Sequence, residues 1–330
     1  MWKSILIGIG AGAASALLSL SLVSGSPISL ILVFIASLPI LIVTIGWSGS
    51  VGLIAVAAAA IGLGLIVDWR LPLSYVVSVG APAWWLGYLA MLARPGEEPG
   101  DGEQSPAPAA LEWYPVGRLV VWTAILGAAG IVILIPYLGF DKQTFDATLR
   151  EFFQRMLRAQ PGPDGNLQIP NVRDPKALLD ILVLVAPPAA ALGGTIMFMV
   201  NLWLAGRIAR MSGRLRRPWP DIPSMELPVA AAGIVAAALA ASFLPDILGL
   251  IGGVVAAAML IAYGVYGLAV VHSITRGLSG RVVILGVIYA VLLLQGWPIL
   301  ILSLVGLIDT AVDIRGRVAR WRGKPTNTQS

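Results

Sequence analysis

Cysteine is absent from all 330 residues, and histidine occurs once, at His272. The first absence excludes disulfides, iron–sulfur clusters and thiolate metal sites; the second excludes a histidine-rich metal centre. Charge is scarce as well: Lys, Arg, Asp and Glu make up 12% of the chain, against roughly 25% in an average soluble domain. There is no phosphate-binding Gly-x-x-x-x-Gly-Lys sequence and no His-Glu-x-x-His, and the Gly8–Gly12 cluster lies inside an apolar helix, not after a strand. Serine nucleophiles lack a base other than His272. The expectation is a protein with no catalytic residues, no cofactor and no metal, and hence not an enzyme. Polar–apolar alternation in short segments, the mark of a membrane β-barrel, is missing too.

What remains is apolar sequence. Hydrophobic residues make up 58% of the chain, and the mean hydropathy is +0.87. A helix needs about 20 apolar residues to cross the hydrocarbon core. Stretches approaching or exceeding that length lie at Ile5–Ser24, Ile28–Ile45, Val51–Val67, Leu73–Leu92, Leu119–Leu138, Ala177–Leu204, Pro228–Phe243, Ile247–Val271 and Val282–Ile308. They are separated by turn sequences such as Gly46-Trp47-Ser48-Gly49 and Leu244-Pro245-Asp246. The spans predict an all-α fold, a polytopic transmembrane helical bundle with about 8–10 membrane segments. The first apolar run is too long for a signal peptide and is read as a retained helix.

The chain divides into residues 1–92, an N-terminal four-helix membrane part, and 93–118, a flexible loop rich in Pro, Gly and acids (Glu97, Glu98, Asp101, Glu103). Residues 119–176 hold one span and an amphipathic interfacial segment, in which Phe145, Leu149, Phe152, Phe153, Met156 and Leu157 recur at helical spacing. Residues 177–314 form the C-terminal membrane part, and 315–330 a basic tail. Two Ala-rich helices, each followed by a Pro-containing turn and a helix ending in aromatics (Val51–Tyr88 and Val229–Tyr266), form a faint internal echo of the kind transporters show. Pro187-Pro188 and Gly193-Gly194 predict a kink or break in the Ala177–Leu204 helix.

Arginines cluster at Arg207, Arg210, Arg214, Arg216 and Arg217, and again from Arg315 to Arg322. Both clusters abut apolar spans, so they report orientation rather than nucleic-acid binding. Placing both in the cytoplasm conflicts with one crossing by Val282–Ile308. Either Gln295-Gly296-Trp297-Pro298 divides that stretch into two short re-entrant segments, or an earlier span is miscounted.

Trp219-Pro220-Asp221-Ile222-Pro223-Ser224-Met225-Glu226-Leu227-Pro228, followed by the ending Val305-Gly306-Leu307-Ile308-Asp309-Thr310-Ala311-Val312-Asp313-Ile314-Arg315, resembles the YybS-like family of uncharacterised bacterial inner-membrane proteins. That family is regarded as distantly related to the substrate-binding S components of energy-coupling factor transporters. The resemblance implies a transporter-like helical fold in the bacterial cytoplasmic membrane and a small-molecule pocket. It also implies ATPase and coupling membrane subunits as partners. S components dock the coupling subunit through small residues spaced by four on the first helix; Gly8, Gly12 and Ala16 have that spacing, which serves packing within a chain equally well.

Ionisable and polar groups inside lipid are functional candidates. Asp309 and Asp313, four apart, share a helical face, with Arg315 pointing elsewhere; they form either helix-end anchors or an ion pair with the Arg207–Arg217 loop. Thr195, Asn201, Tyr263, Tyr266 and His272 are candidate substrate-binding residues, or else interhelical bonds and polar helix ends. Arg207, Arg210 and Arg214 are candidate docking residues for partner proteins or anionic membrane lipid. Two functions follow: a small-molecule binder or transporter, and a scaffold for envelope or biosynthetic proteins. The C-terminal tail is expected in the cytoplasm.

Overall fold

In a computed structural model, residues 2–21, 26–66, 70–96, 111–157, 160–161, 167–169 and 172–323 are described. Six helices among these residues are long and apolar enough to cross a membrane: Trp2–Leu20, Ile28–Gly46, Gly49–Ile66, Val116–Leu138, Pro175–Met211 and Asp246–Ile274. Three shorter apolar helices, Val229–Ala241, Arg281–Gln295 and Ile299–Val312, accompany them. The fold is an all-α, polytopic membrane architecture. The count of long spans is below the expected 8–10 because several apolar stretches fold as short or interrupted helices. The chain forms two compact units, Met1–Thr123 with Ile196–Leu227, and Ala124–Thr195 with Pro228–Ser330.

In the first unit, α1 (Trp2–Leu20) lies along α4 (Gly49–Ile66). A methyl group on Gly8 would meet Ile54 at 2.9 Å, and one on Gly12 would fall 2.3 Å from Ala55 O. Contacts that advance together along both helices make them parallel, and the absent side chains let the backbones close. The second span is interrupted: α2 (Pro27–Phe34) and α3 (Leu38–Gly46) are separated at Ile35–Ser37. Pro39 explains the break, since it has no N–H to give Ile35 O, which bonds Leu38 N instead. Thr44 of α3 fits between two glycines. A methyl on Gly52 would lie 2.1 Å from its Oγ1, and one on Gly87 2.8 Å from its Cβ. Gly87 belongs to α6 (Ala81–Ala90), which continues α5 (Arg70–Tyr75) through a π turn at Val76–Gly80.

After α6, Ala93–Pro95 pairs antiparallel with Leu111–Trp113, and Arg94 bonds Glu112 at 2.7 Å. That bond holds the Glu112 carboxyl below its ordinary value. The acidic stretch from Glu97 to Glu103 lies outside the described residues, as do the turn at Ser24-Gly25, Asp68-Trp69, Arg158 and Lys324.

In the second unit, α9 (Lys142–Met156) is the expected amphipathic helix. Asp141 caps it, accepting Thr144 N at 2.9 Å, which holds the carboxyl below its usual range. Its Phe153 packs with Ile169, Leu179 and Val183, and Arg150 bonds Asp180. Leu179, Asp180 and Val183 belong to α10 (Pro175–Met211), which is a continuous helix of 37 residues. Pro187 and Pro188 therefore do not break it: they remove two N–H donors from the ladder, and the turns on either side carry the helix through.

The unit's core is α12 (Asp246–Ile274) against α14 (Ile299–Val312). Ser303 Oγ donates to Leu260 O at 2.6 Å; a methyl on Gly306 would lie 2.6 Å from Tyr263 O; Tyr266 and Asp309 bond at 2.7 Å. Contacts repeat every three residues in the same direction, so the helices run parallel. Between them α13 (Arg281–Gln295) goes the other way, turning at Gly296 (φ 69°). The divided last stretch is thus a helical hairpin that starts and ends at one end of the unit: Arg322, beyond α14, donates to Arg276 O, beyond α12, at 3.1 Å. At 1.5 Å per residue α13 spans about 22 Å, short of the roughly 30 Å hydrocarbon core.

Candidate functional site

Three polar clusters emerge, and they divide the residues singled out from sequence. The first mends the broken second span. The break frees carbonyls that would otherwise be spent along the helix. Asn201 is fully buried, and its Nδ2 donates to Phe34 O at 2.6 Å and to Ser37 Oγ at 3.0 Å. Its Oδ1 is buried with no hydrogen-bond partner. Ser15 of α1 donates to Ala36 O at 2.5 Å, so at 2.6 Å the Tyr75 hydroxyl supplies the proton of the Ser15–Tyr75 bond. Sequence alone points to neither Ser15 nor Ser37, for which Pro39 is the available signal, and it reads Tyr75 as an interfacial aromatic or a stacking wall, whereas the residue is buried against Ser15.

The second cluster lies where α14 ends. Asp309 is 1% exposed at its side chain and Arg315 14%. Tyr266 donates to Asp309 Oδ2 at 2.7 Å, Arg315 Nε to the same oxygen at 2.9 Å, and Arg315 N to Oδ1 at 3.0 Å. Arg315 Nη2 also donates to the Tyr266 hydroxyl at 2.7 Å. Asp313 makes this possible. It adopts the left-handed conformation (φ 50°) and caps α15 (Ile314–Trp321) through Gly316 N at 2.9 Å. The chain doubles back there, so Arg315 faces Asp309 instead of pointing away, and Asp309 and Asp313 do not share a face. Asp313 lies outside the buried network, 3.8 Å from Arg320 on the surface. The tertiary partner of Asp309 is thus the near-neighbour Arg315. Tyr263, also fully buried, sits edge-on to Tyr266 with ring centroids 6.2 Å apart.

The third cluster is the basic loop after α10. Arg214 stacks over Trp47 at 4.0 Å, Arg210 over Trp219 at 5.3 Å, and Arg207 over both Trp219 at 5.7 Å and Trp203 at 5.9 Å. Arg216 donates to Trp47 O at 3.3 Å, and Arg217 to Ala90 O at 3.1 Å. Arginines at the carbonyl ends of α3 and α6 complement the helix dipoles. Burial lowers the Arg217 pKa from its ordinary value.

The remaining candidates have local partners. Thr195 is fully buried; its hydroxyl returns to Ala191 O at 2.8 Å while the residue packs on Gly127 of α7 (Val116–Val132). His272 bonds the Tyr289 hydroxyl at 2.8 Å. Gly8, Gly12 and Ala16 are buried, the two glycines against α4 of the same chain. An open cleft of about 480 Å³ in the second unit is lined by Phe140, Asp141, Lys142, Gln143, Asp246 and Ile247, none of them a sequence candidate. Among the described residues no group of three or more His, Cys, Asp or Glu is placed to hold a metal.

Membrane-length helices bearing buried polar networks agree with what comparison shows. The family of predicted membrane proteins DUF2232 matches residues 13–310. The chain belongs to that family. The DUF2232 match runs from α1 to the last turn of α14 and takes in Asn201, Tyr266 and Asp309. No curated protein and no solved structure matches the chain.

Proposed function

We propose that this DUF2232 protein is a non-catalytic, small-molecule-binding or transport subunit of the bacterial cytoplasmic membrane, with α13–α14 as its moving element. The observation that carries the reading is the buried Tyr266–Asp309–Arg315 network at the base of that hairpin. Well-packed apolar residues match or exceed a buried ion pair in stability, and ionisable groups at membrane depth are costly enough to mark function by default. A hairpin too short to span, closed at one end by charges that a polar ligand can compete for, has the character of a gate. In the first unit, the unpartnered Asn201 Oδ1 is a separate buried acceptor that a ligand donor could use. The likeness of Trp219–Pro228 and Val305–Arg315 to the YybS-like family, itself regarded as distantly related to S components, points the same way. Without a phosphate-binding loop of its own, the protein would draw energy from a partner ATPase with its coupling subunit, or from an ion gradient.

A membrane scaffold is the second reading. It is favoured by the exposed arginines Arg207, Arg210 and Arg214, held in fixed positions over tryptophans. Native mass spectrometry of protein purified from its own membranes in mild detergent separates the two. The gate reading expects a stoichiometric small molecule or a coupling ATPase, with the small molecule lost from folded Tyr266→Phe and Asp309→Asn variants. Stoichiometric envelope or biosynthetic proteins, with neither small molecule nor ATPase, would overturn it.

A further inference from the structure

α13 is apolar almost throughout, yet none of its residues is buried. Val282, Val283, Leu293 and Leu294 are 83%, 69%, 86% and 85% exposed. The His272–Tyr289 bond ties it to the end of α12. Its first residue is Arg281, whose Nε is buried without a hydrogen-bond partner. Arg322 reaches the same end by its bond to Arg276 O, and Arg276 and Arg281 both lie within electrostatic reach of His272. From Arg276 to Arg322 the chain carries six arginines and two aspartates. Neither carboxylate is spare, since Asp309 is taken by Arg315 and Asp313 faces Arg320. Trp321, 86% exposed, stands beside them in sequence as an interfacial aromatic.

We propose that an anionic phospholipid occupies this place, its phosphate against Arg281 between Arg276 and Arg322, and its acyl chains along the exposed face of α13. One occupant then accounts for a buried guanidinium nitrogen lacking an acceptor and for an apolar helix lacking a cover. The dimensions fit: α13, at about 22 Å, exceeds the roughly 15 Å hydrocarbon depth of one leaflet, so the acyl chains of a lipid headed at Arg281 have helix beside them over their whole depth. Free phosphate would answer the charge and leave Val282 to Leu294 uncovered. A zwitterionic headgroup would bring its own cation into the arginine cluster.

The test uses the full chain, delipidated in detergent, with phosphatidylglycerol, phosphatidylcholine or inorganic phosphate added back. Native mass spectrometry counts retained lipid, and a thermal melt reads stabilisation. Phosphatidylglycerol is expected to remain at one per chain and to raise the melting midpoint, with phosphatidylcholine and phosphate doing neither. Arg281→Gln and Arg322→Gln should each weaken retention about fivefold, the effect of one basic residue at a membrane surface. Arg281→Lys should lose less. Should Arg281→Gln fail to fold, Arg322→Gln, an exposed position past α15, carries the test alone. Equal stabilisation by phosphatidylcholine, full effect from phosphate alone, or unchanged retention in the folded arginine variants would each overturn the proposal.

Discussion

At single positions, space rather than chemistry decides what the bundle tolerates. A methyl added at Gly267 would fall 1.8 Å from Leu302 O, whereas at Gly10 it would meet nothing within 4 Å. Backbone cannot yield as a flexible side chain does, so Gly267→Ala should cost about 1–3 kcal/mol or more. Gly10→Ala should be neutral or slightly favourable, because alanine loses less entropy in a helix. Thermal melts of both variants in one detergent check the contrast. Asn201 presents the opposite case, where chemistry decides. Asn201→Leu fills similar volume but strands Phe34 O and Ser37 Oγ at the break in the second span. A loss of about 1–2 kcal/mol is expected, with faster amide exchange concentrated around Ile35–Leu38.

Elements divide into those set by their own sequence and those set by neighbours. α9 belongs to the first kind, its cap being Asp141. That carboxyl titrates below its ordinary value in the folded protein. Its contribution is therefore complete above the unfolded pKa and is lost as pH falls through the lower, folded one. Acid should loosen the first turn of α9 while the apolar spans persist, and Asp141→Asn should remove most of that pH dependence. Hydrogen exchange at Thr144–Asp146 across acid pH measures both. The α14–α15 junction belongs to the second kind. Removing one partner of a buried pair strands the other, so Asp309→Asn or Arg315→Gln alone should cost about 3–5 kcal/mol, while the joint apolar replacement Asp309→Leu with Arg315→Met should cost less than either. A cost equal to the sum of the single changes would contradict the coupled network.

Across the molecule, each unit holds one cluster of arginines at helix ends. In the first unit the basic loop covers the C-terminal ends of α3 and α6. In the second, Arg276, Arg281 and Arg322 meet where α12 ends and α13 begins. The positive-inside rule predicts such ends in the cytoplasm, and the absence of native cysteine makes that prediction directly measurable. Single-cysteine variants Ser212→Cys and Ser279→Cys should react with an impermeant thiol reagent only from the cytoplasmic face. Gln143→Cys, at the start of α9, should react only from the opposite face. Reaction of Ser279→Cys from outside would contradict the cytoplasmic placement of the α12–α13 end.

Composition and hydropathy alone settle the solvent and the material. Scarce charge and long apolar runs made this a multi-pass helical membrane protein, α9 followed from its periodicity, and Gly296 with Pro298 announced the hairpin turn. These properties are local, carried by each stretch whatever it packs against. Packing decided the rest. Pro187 and Pro188 sit within an unbroken helix, while Ile35–Ser37, with a weaker signal, is a true break held by Asn201 and Ser15 from distant helices. Arg315 met Asp309 only because Asp313 turned left-handed, a conformation that a four-residue helical spacing does not foresee. Which groups meet depends on where backbones cross, and in lipid that is set by the fit of glycine against backbone, which tertiary structure alone displays.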